Sequence, residues 1–534
     1  MTQMKFFSWN SFFALITFLF GVLICQYTGN RGVFPIDSFS HFDTGYRVLN
    51  GEHPFKDYWI VSGLFVDYLQ SIIFYLFGIN WQTYVLNASL LNGCVSLLVY
   101  SLLNNLGLNI KLSFFYAICF SILAYPSSGT PFVDHHSALL SVSALILLIK
   151  AINTNKLYIW FFVPVFLFAA FLSKQVPATY IFFVVILLIT LHFTHQTKKD
   201  FFRIFITLAA SSTMAVTLLA ILFYMNDIDM ESFLTQYLYY PVSIGEERYQ
   251  TINYDLKNSF LNFKFIYLAL FFLILFSYEN LKQKNKNFYK DINFKILIIC
   301  ILSFISLAQH IIFTKNQIFI FFLIPLYLGI ANIQLNKSNK KYKKYLNIFL
   351  IIFCISITLK YHYRFNLERK FHEFDNVNFN KAIDASHLNK KFSGLKWISP
   401  NYKTNDEILL EINFLKSFND ILKLDKQKKI VLSNYSLFSV LVGENISGFS
   451  RWYPGDNSAY PKKGNKYFEN FKDLIISSFK KKKIRSIYIL PDIAENNLLD
   501  YVDSKCFNRR ELQLKIIKYE INDKCNDLFI WKKN

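Results

Sequence analysis

Residues 157–193 read LYIWFFVPVFLFAAFLSKQVPATYIFFVVILLITLHF, two long apolar runs separated by a short polar turn at Ser173, Lys174 and Gln175. A helix that crosses a bilayer needs roughly 17–25 apolar residues, because it rises about 1.5 Å per residue and the hydrocarbon core is about 30 Å thick. Each run is close to this length. The stretch therefore predicts two membrane-spanning helices joined by a turn at one surface of the membrane.

The rest of the chain extends this pattern. Of its 534 residues, 53% are apolar and 17% are charged, and the mean hydropathy is +0.28. Soluble proteins carry about 25% charged residues. Charged residues are concentrated in 361–534, while 84–360 contains one apolar run after another. This composition excludes a single soluble fold, a disordered chain and a fibrous repeat. It predicts an α-helical polytopic membrane protein with a soluble C-terminal part.

Apolar runs predict about eleven spans, near 9–26, 84–103, 112–127, 136–151, 157–172, 177–195, 204–224, 261–278, 294–313, 317–334 and 345–360. Lysine clusters between the runs, such as 282–290 and 337–344, mark cytoplasmic loops by the positive-inside rule. With the N-terminus in the cytoplasm, the loops on both sides of 64–78 lie outside. This segment therefore does not cross, and we expect an amphipathic helix in the membrane interface.

The predicted domains are a membrane domain at 1–360, whose first extracytoplasmic loop is 27–83, and an extracytoplasmic domain at 361–534. The second domain is expected to be α/β or α+β. Its strand-like runs are Lys429–Ser433, Ser486–Leu490, Leu512–Tyr519 and Leu528–Trp531, and its amphipathic stretches lie near 405–424 and 466–482. Cys506 and Cys525 both lie in this part, so an oxidising compartment would allow a disulfide between them.

The net charge of +21 raises the question of a nucleic-acid partner. However, the chain is also rich in Phe, Tyr, Lys, Asn and Ile, whose codons are rich in A and T, and much of the remaining charge lies in short clusters between spans. We therefore expect membrane lipid, and no nucleic acid, to be the partner of these basic residues.

Polar residues gather in the predicted extracytoplasmic loops, where acids and bases around one cavity could bind an anionic lipid head and deprotonate a hydroxyl. They are Asp37, His41, Asp43 and Asp57 in the first loop, then Asp134, His135 and His136, Lys174 and Gln175, Glu246 to Arg248, and Lys315 and Asn316. Simpler explanations exist for each: a solvated loop carboxylate, a helix cap at Asp134, or isolated outside lysines. A metal site at 134–136 is also conceivable, but neighbouring helical residues point about 100° apart.

The first loop carries a resemblance to a known family. Asp37, then Gly51 in Leu49-Asn50-Gly51, then Pro54-Phe55-Lys56-Asp57, resembles the first extracytoplasmic loop of the GT-C glycosyltransferase superfamily. It is most similar to bacterial relatives of the protein O-mannosyltransferases and of the lipid A aminoarabinose transferase. Phe77-Gly78 at the end of the interfacial segment and Leu172-Ser173-Lys174-Gln175 are similar to family motifs as well. The resemblance covers about residues 1–335.

This resemblance implies a reaction and a set of roles. A sugar on a polyprenyl phosphate would be transferred to an acceptor hydroxyl of a lipid, glycan or protein outside the cytoplasm, at the inner membrane of a bacterium. Asp37 would be the general base, and Asp43 is its alternative because Ser38 stands where many relatives have a second acid. Lys174, Arg248 and Lys315 would stabilise the departing phosphate. Asp134 matches a metal-binding position of oligosaccharyltransferase relatives, but the missing acid beside Asp37 argues against a divalent metal.

Two other functions are compatible with many spans. A transporter or flippase of lipid-linked glycan would show two related halves and spans broken near the bilayer centre. The chain has only 17 Gly and no visible halves, and its polar clusters lie at one surface. A membrane anchor that only displays the C-terminal domain would need a single span. The sequence therefore favours the transferase.

Overall fold

The computed structural model describes residues 9–194, 196–250, 252, 255–282, 288–338, 342–374, 376–522 and 525. The predicted strand at Leu528–Trp531 lies outside these residues, as do parts of the lysine clusters at 282–290 and 337–344. Within the described part, the chain forms two compact units. The first unit comprises Met1–Asn30, Val85–Leu219 and Arg248–Asn376, and the second comprises Arg31–Tyr84, Ala220–Glu247 and Val377–Asn534.

Ten helices in the described residues are long and apolar enough to cross a membrane, so the chain is a multi-pass membrane protein. They are Trp9–Gly29, Trp81–Asn105, Ile110–Ser127, Val133–Thr154, Gln175–Phe193, Lys198–Met225, Leu256–Lys282, Ile292–Thr314, Ile320–Lys337 and Lys343–His372. Each overlaps a predicted span. The remaining predicted span, 157–172, is the helix Leu157–Ser173, whose 17 residues make it shorter than the other ten.

The core of the first unit is a continuous set of apolar side chains from its membrane helices. Close approach of two helices requires glycine at one crossing. A Cβ atom added to Gly21 would lie 2.9 Å from the Cα of Gly93, and one added to Gly93 would lie 2.9 Å from the carbonyl oxygen of Phe18. The Asn92 side chain donates to the carbonyl of Gly21 at 2.8 Å. Small residues and interhelical hydrogen bonds are the usual means of packing helices in lipid.

The second unit begins with the first loop, where the helices Pro35–Ser38 and Ser40–Leu49 precede the helix Phe65–Phe77. The helix Phe65–Phe77 has 13 residues and is too short to cross the bilayer. Asp67 and Gln70, which interrupt its apolar sequence, are fully buried. Its outer face is apolar and exposed, at Ile72, Tyr75, Leu76 and Phe77. Such features are typical of helices in the membrane interface, and the interfacial position of this helix stays a prediction.

The first loop, residues 220–247 and the C-terminal segment share one core in this unit. Trp59 of the first loop packs edge-on against Tyr240 and against Phe471, with ring centroids 5.5 Å and 5.6 Å apart. The boundary predicted at residue 360 separates the first loop from the C-terminal segment. The structure instead joins them, because the apolar side chains of the first loop have their partners on the C-terminal segment.

The C-terminal segment contains a four-stranded mixed sheet, whose strands are β3 (Lys429–Leu432), β4 (Ser486–Ile489), β5 (Phe507–Glu511) and β6 (Ile517–Ile521), in the order β3-β4-β6-β5. β4 is parallel to β3 and antiparallel to β6. A separate pair, β1 (Ile383–Asp384) and β2 (Lys396–Trp397), is antiparallel. The long helices Asn405–Leu424 and Phe468–Lys482 match the predicted amphipathic stretches, and the shorter ones are Phe438–Val442 and Asn496–Leu499.

Predicted strand Leu512–Tyr519 is wrong in its bounds. The chain makes a tight turn there, with positive φ angles of 67° at Leu514 and 58° at Lys515, between β5 and β6. The more polar stretch 507–511 forms the edge strand instead, where side chains can face water. Near this hairpin, Cys506 and Cys525 are joined by a disulfide.

Two short helices, Met230–Leu234 and Tyr240–Tyr249, lie between the spans Lys198–Met225 and Leu256–Lys282, and the short helix Leu256–Ser259 is the first part of the second of these spans. The Met230–Leu234 helix is capped by Asp229, whose side chain accepts a hydrogen bond from the Ser232 backbone at 2.8 Å. The residues Glu246 to Arg248, predicted to lie in an extracytoplasmic loop, are at the end of the helix Tyr240–Tyr249.

Candidate active site

A buried carboxylate is the centre of the polar site in the first unit. Asp134, which is 1% exposed, accepts hydrogen bonds from Lys174 Nζ at 2.7 and 2.8 Å. His310 Nε2 lies 2.8 Å from the same carboxylate, and the Asn316 amide donates to it, also at 2.8 Å. We call these four residues the Asp134 cluster. Its members come from positions up to 182 residues apart in sequence.

Helix ends bring these residues together. Asp134 is the second residue of the helix Val133–Thr154, and Phe132, not Asp134, is at the N-cap position. Lys174 has extended backbone angles between the helices Leu157–Ser173 and Gln175–Phe193, and Ser137 donates to its carbonyl at 3.1 Å. Asn316 follows the C-terminal end of the helix Ile292–Thr314. A carboxylate at a helix N-terminus is stabilised by the helix dipole.

Lys174 neutralises most of the charge of this cluster. Its side chain is 23% exposed, whereas that of Asp134 is 2% exposed. A buried carboxylate requires a charged partner and further hydrogen-bond donors, and the Asp134 cluster supplies both. Lys174 therefore cannot offer a full positive charge to an anionic substrate unless the pair with Asp134 opens.

Hydrogen-bond donors surround the Asp134 carboxylate, and their identity shows whether the Asp134 cluster could bind a metal ion. The ammonium of Lys174 and the amide of Asn316 occupy the carboxylate, and neither group is a metal ligand in this arrangement. Among the described residues, no group of three His, Cys, Asp or Glu is arranged to hold an ion. The residues present do not fit a divalent metal at Asp134, so we assign no chemical step to one.

The two histidines after Asp134 have other partners. His135 Nε2 lies 2.8 Å from Ser127 Oγ, and its ring stacks on Phe319 with centroids 4.1 Å apart. His136 contacts the Tyr125 hydroxyl at 2.5 Å and the Asn87 side chain at 3.0 Å. As the helical geometry predicts, the three consecutive side chains do not converge.

Lys315 borders a cavity that also touches the Asp134 cluster. This cavity of about 340 Å³ is lined by Lys315, Asn316, two further asparagines and apolar side chains. Lys315 is exposed and has a positive φ of 54° at the end of its helix. Gln175 is half-buried at the start of its helix, and Arg248 is half-buried in the last turn of Tyr240–Tyr249. The cavity therefore joins one predicted cation, Lys315, to a member of the Asp134 cluster, Asn316.

Asp37, the predicted base, belongs to the second unit. It is half-buried on the short helix Pro35–Ser38, where its backbone N–H donates to the carbonyl of Phe34 at 3.0 Å. The chain leading to this helix is fixed by the C-terminal segment: Gly32 donates to the carbonyl of Lys396 and Val33 to that of Ile398, both at 2.9 Å. The C-terminal segment thus fixes the backbone immediately before Asp37.

Asp43, the alternative base, is enclosed. It is 2% exposed and accepts a hydrogen bond from Ser447 Oγ at 2.5 Å. The adjacent cavity has a volume of about 10 Å³, room for about one water molecule. Burial raises the pKa of Asp43 to about 6, although Arg47 and Ser447 act in the opposite direction. Its surroundings therefore leave no space for an acceptor substrate.

Asp67 is a second buried carboxylate that sequence reasoning marks only as a polar interruption of an apolar helix. It accepts hydrogen bonds from Arg451 at 2.5 Å and Thr44 at 2.6 Å, and lies 2.9 Å from His41 Nδ1. Burial alone would raise the pKa of Asp67, but Arg451 and His41 hold it below its usual range. Burial and Arg451 lower the pKa of His41. The sequence feature that points to this network is Asp67 itself, an acidic residue within an apolar run.

His310 is the other residue that sequence reasoning misses. It is fully buried in the helix Ile292–Thr314. An ionisable residue inside an apolar span is itself a sign of function. His310 has this feature in the sequence. Its partner, Asp134, lies 176 residues away, so no local pattern connects the two.

Comparison with known proteins yields structural likenesses only. No family model and no curated protein matches the chain. Among solved structures, the chain is similar to ArnT from Cupriavidus metallidurans bound to undecaprenyl phosphate, with 10% sequence identity and a TM-score of 0.45. It is also similar to the same protein in the apo state, with 11% identity and a TM-score of 0.45. Each match covers 95% of this chain and 97% of the other.

Proposed function

We propose that this protein transfers a sugar from a polyprenyl-phosphate-linked donor to an acceptor hydroxyl on the extracytoplasmic side of a bacterial inner membrane. The observation that carries the proposal is the Asp134 cluster at the ends of membrane helices, beside a cavity that Lys315 borders. Buried ionisable groups in membrane helices are costly and commonly serve function. The motifs of the first loop that resemble GT-C enzymes support the same reaction.

Asp37 is the general base of this reaction. As the acceptor oxygen forms a bond to the anomeric carbon, the bond from that carbon to the phosphate oxygen breaks. The acceptor proton passes to the Asp37 carboxylate, and the polyprenyl phosphate departs as an anion. Half-burial leaves Asp37 accessible to a substrate, whereas Asp43 is enclosed. A single displacement of this kind inverts the anomeric carbon.

Cationic side chains stabilise the charge that develops on the departing phosphate. Lys315 is the principal candidate, because it is exposed and borders a cavity. Arg248 is a second candidate. Lys174 contributes indirectly, because Asp134 occupies its ammonium group.

The helix Phe65–Phe77 contacts membrane lipid in this proposal. Its exposed apolar face can lie against the acyl region of the membrane, where the polyprenyl chain of the donor is dissolved. Its inward face carries Asp67 and Gln70. The helix therefore borders the membrane on one side and the polar interior of the second unit on the other.

Donor consumption by membranes that contain the wild type or Asp37→Asn tests this function. The substitution keeps the shape of the side chain and removes the base, so we expect consumption to fall about 10²- to 10⁴-fold. Asp420→Asn, at an exposed position of the helix Asn405–Leu424, is the matched control and should retain full activity. If Asp37→Asn consumed donor as fast as the wild type, Asp37 would not be the general base, and Asp43 would be the next candidate.

The competing function is transport of a lipid-linked glycan without transfer. Spans broken near the bilayer centre would support it, whereas the Asp134 cluster lies at helix ends. If several polyprenyl-phosphate sugars remained intact with the wild type, while labelled glycan lipid crossed the membrane, transport would replace the proposed reaction.

A further inference from the structure

A second cavity lies in the second unit, and none of the residues assigned to the proposed reaction lines it. It has a volume of about 410 Å³ and is lined by parts of the first loop, the 227–236 segment and the helix Phe468–Lys482. Its floor is buried and includes Phe55, Trp59 and Gln236. Pockets that bind small molecules usually measure about 300–1,000 Å³. The cavity is therefore large enough for a small organic ligand.

Its charge limits which ligands it can bind. Four carboxylates line it, from Asp227, Asp229, Glu231 and Asp473, and all four residues are exposed. The cation among its lining residues is Lys56, whose Nζ lies 3.5 Å from Asp227. This excess of negative charge repels phosphates and uronic acids. A donor phosphate therefore does not bind here.

Neutral hydroxyl groups suit the same lining. Carboxylates accept hydrogen bonds from hydroxyl groups, and such charge-assisted bonds are stronger than those between neutral groups. The side chains of Asn470, Ser477 and Ser232 add neutral donors and acceptors around the cavity. These are the interactions that a compound with many hydroxyl groups requires.

The aromatic floor supplies a further element. Trp59 is 1% exposed, and its indole N–H is buried with no hydrogen-bond partner in the described part of the chain. Buried donors without partners are uncommon. A hydroxyl oxygen of a ligand bound against Trp59 can accept this N–H.

We propose that this cavity binds a non-anionic saccharide, neutral or amino-substituted. Resting on the proposed transferase function, that saccharide is part of the acceptor, so the acceptor is a glycan. The acceptor glycan would then be held by the C-terminal segment and the first loop of one compact unit, while its reacting hydroxyl lies outside the cavity, at Asp37.

A glycan array tests the proposal with the purified full-length protein, labelled and solubilised in detergent, without any donor. The array carries neutral, amino-substituted and anionic saccharides. We expect binding to neutral or amino-substituted saccharides and at least tenfold weaker binding after Glu231→Lys or Asp473→Lys. Asp420→Lys makes the same charge change at an exposed position outside the cavity and should bind as the wild type does. Thermal unfolding of each variant verifies that it is folded.

Three results would overturn the saccharide site: no binding to any saccharide class, binding mainly to anionic saccharides, or equal binding by Glu231→Lys and the wild type. The Asp37→Asn variant should bind glycans normally, because Asp37 does not line the cavity. Glycan binding without donor consumption by the wild type would refute the transferase and leave the saccharide site intact. Donor consumption without glycan binding would refute the saccharide site and leave the transferase intact.

Discussion

At the scale of single residues, two buried carboxylates organise polar networks that join distant parts of the chain. Asp134 and Asp67 are each 1% exposed or less, and each is surrounded by donors from distant parts of the chain. A buried carboxylate without its partner costs far more than the pair contributes when complete. Removal of one charged partner should therefore lower the free energy of unfolding strongly, and removal of both partners should lower it less.

The Asp134–Lys174 pair offers a direct measurement of this effect. Lys174→Met leaves the Asp134 carboxylate buried without its cation, so we expect about 3–5 kcal/mol of destabilisation. The double variant Lys174→Met with Asp134→Asn removes both charges and should recover most of that loss. Thermal unfolding in detergent measures both variants. Additive losses in the double variant would mean that the two side chains are not coupled.

Asp43 should make stability depend on pH. Burial raises its pKa in the folded protein to about 6, from a usual value of 3.8. Between these values the unfolded chain releases the proton while the folded protein keeps it, so stability falls as the pH rises from about 4 to about 6. Asp43→Asn cannot ionise. The free energy of unfolding of this variant minus that of the wild type should therefore increase as the pH rises from about 4 to about 6, by up to about 3 kcal/mol. Above this interval the difference should remain constant.

Unfolding midpoints of both proteins at several pH values measure this difference. The comparison cancels the opposite contributions of Asp57 and Asp67, whose pKa values lie below the usual range. A constant difference between pH 4 and 7 would show that Asp43 is ionised in the folded protein throughout.

Sequence reasoning predicts acids for the candidate site and misses their partners. Asp37, Asp43 and Asp134 stand out because they lie in predicted extracytoplasmic loops and, for Asp37 and Asp134, at positions that match family motifs. The partners are hidden, because Ser447 lies 404 residues from Asp43, and Arg451 lies 384 residues from Asp67. No local pattern carries such a pairing. The proposed role of Asp37 rests on the resemblance of its loop and on its half-buried position.

At the scale of helices and strands, composition predicted what the bilayer requires. Apolar runs located the spans because side chains that face lipid must be apolar along the whole thickness of the hydrocarbon core, while the helix itself satisfies the backbone hydrogen bonds. The hairpin at 507–521 was harder, since alternation of apolar residues continues through its turn and hides the left-handed residues Leu514 and Lys515. The helix crossing at Gly21 and Gly93 was equally hidden, because the two glycines are neighbours only in the folded chain.

This crossing predicts a sharp sensitivity to side-chain size. A methyl group at residue 93 would meet the Phe18 carbonyl oxygen and the Val22 side chain at 2.9 Å, so the helices must separate. We expect Gly93→Ala to destabilise the protein by about 1–3 kcal/mol. Cys94→Ala, at the exposed neighbouring position, is the control and should have little effect. Equal unfolding midpoints for the two variants would contradict a tight crossing.

At the scale of the whole molecule, the functional division of the chain differs from its order in sequence. The first unit is built from membrane helices with their own core. Both units are discontinuous in sequence, and in the second unit ion pairs join the first loop to the C-terminal segment. Lys482 pairs with Glu52 at 2.6 Å, and Lys481 pairs with Asp57 at 2.5 Å. The C-terminal segment is therefore a structural partner of the loop that carries Asp37.

Removal of residues 377–534 should consequently affect the first loop and spare the membrane helices. Asp67 would lose Arg451 and Glu52 would lose Lys482, while Trp59 would lose its contact with Phe471. We expect 31–84 to become sensitive to protease in the truncated protein and donor consumption to be lost. The helix Val133–Thr154 should stay protected, because its core lies within the first unit. Limited proteolysis with mass spectrometry of the fragments distinguishes the two regions. A first loop that resists protease equally well without the C-terminal segment would mean that the loop folds independently, and that Asp37 does not depend on that segment for its position.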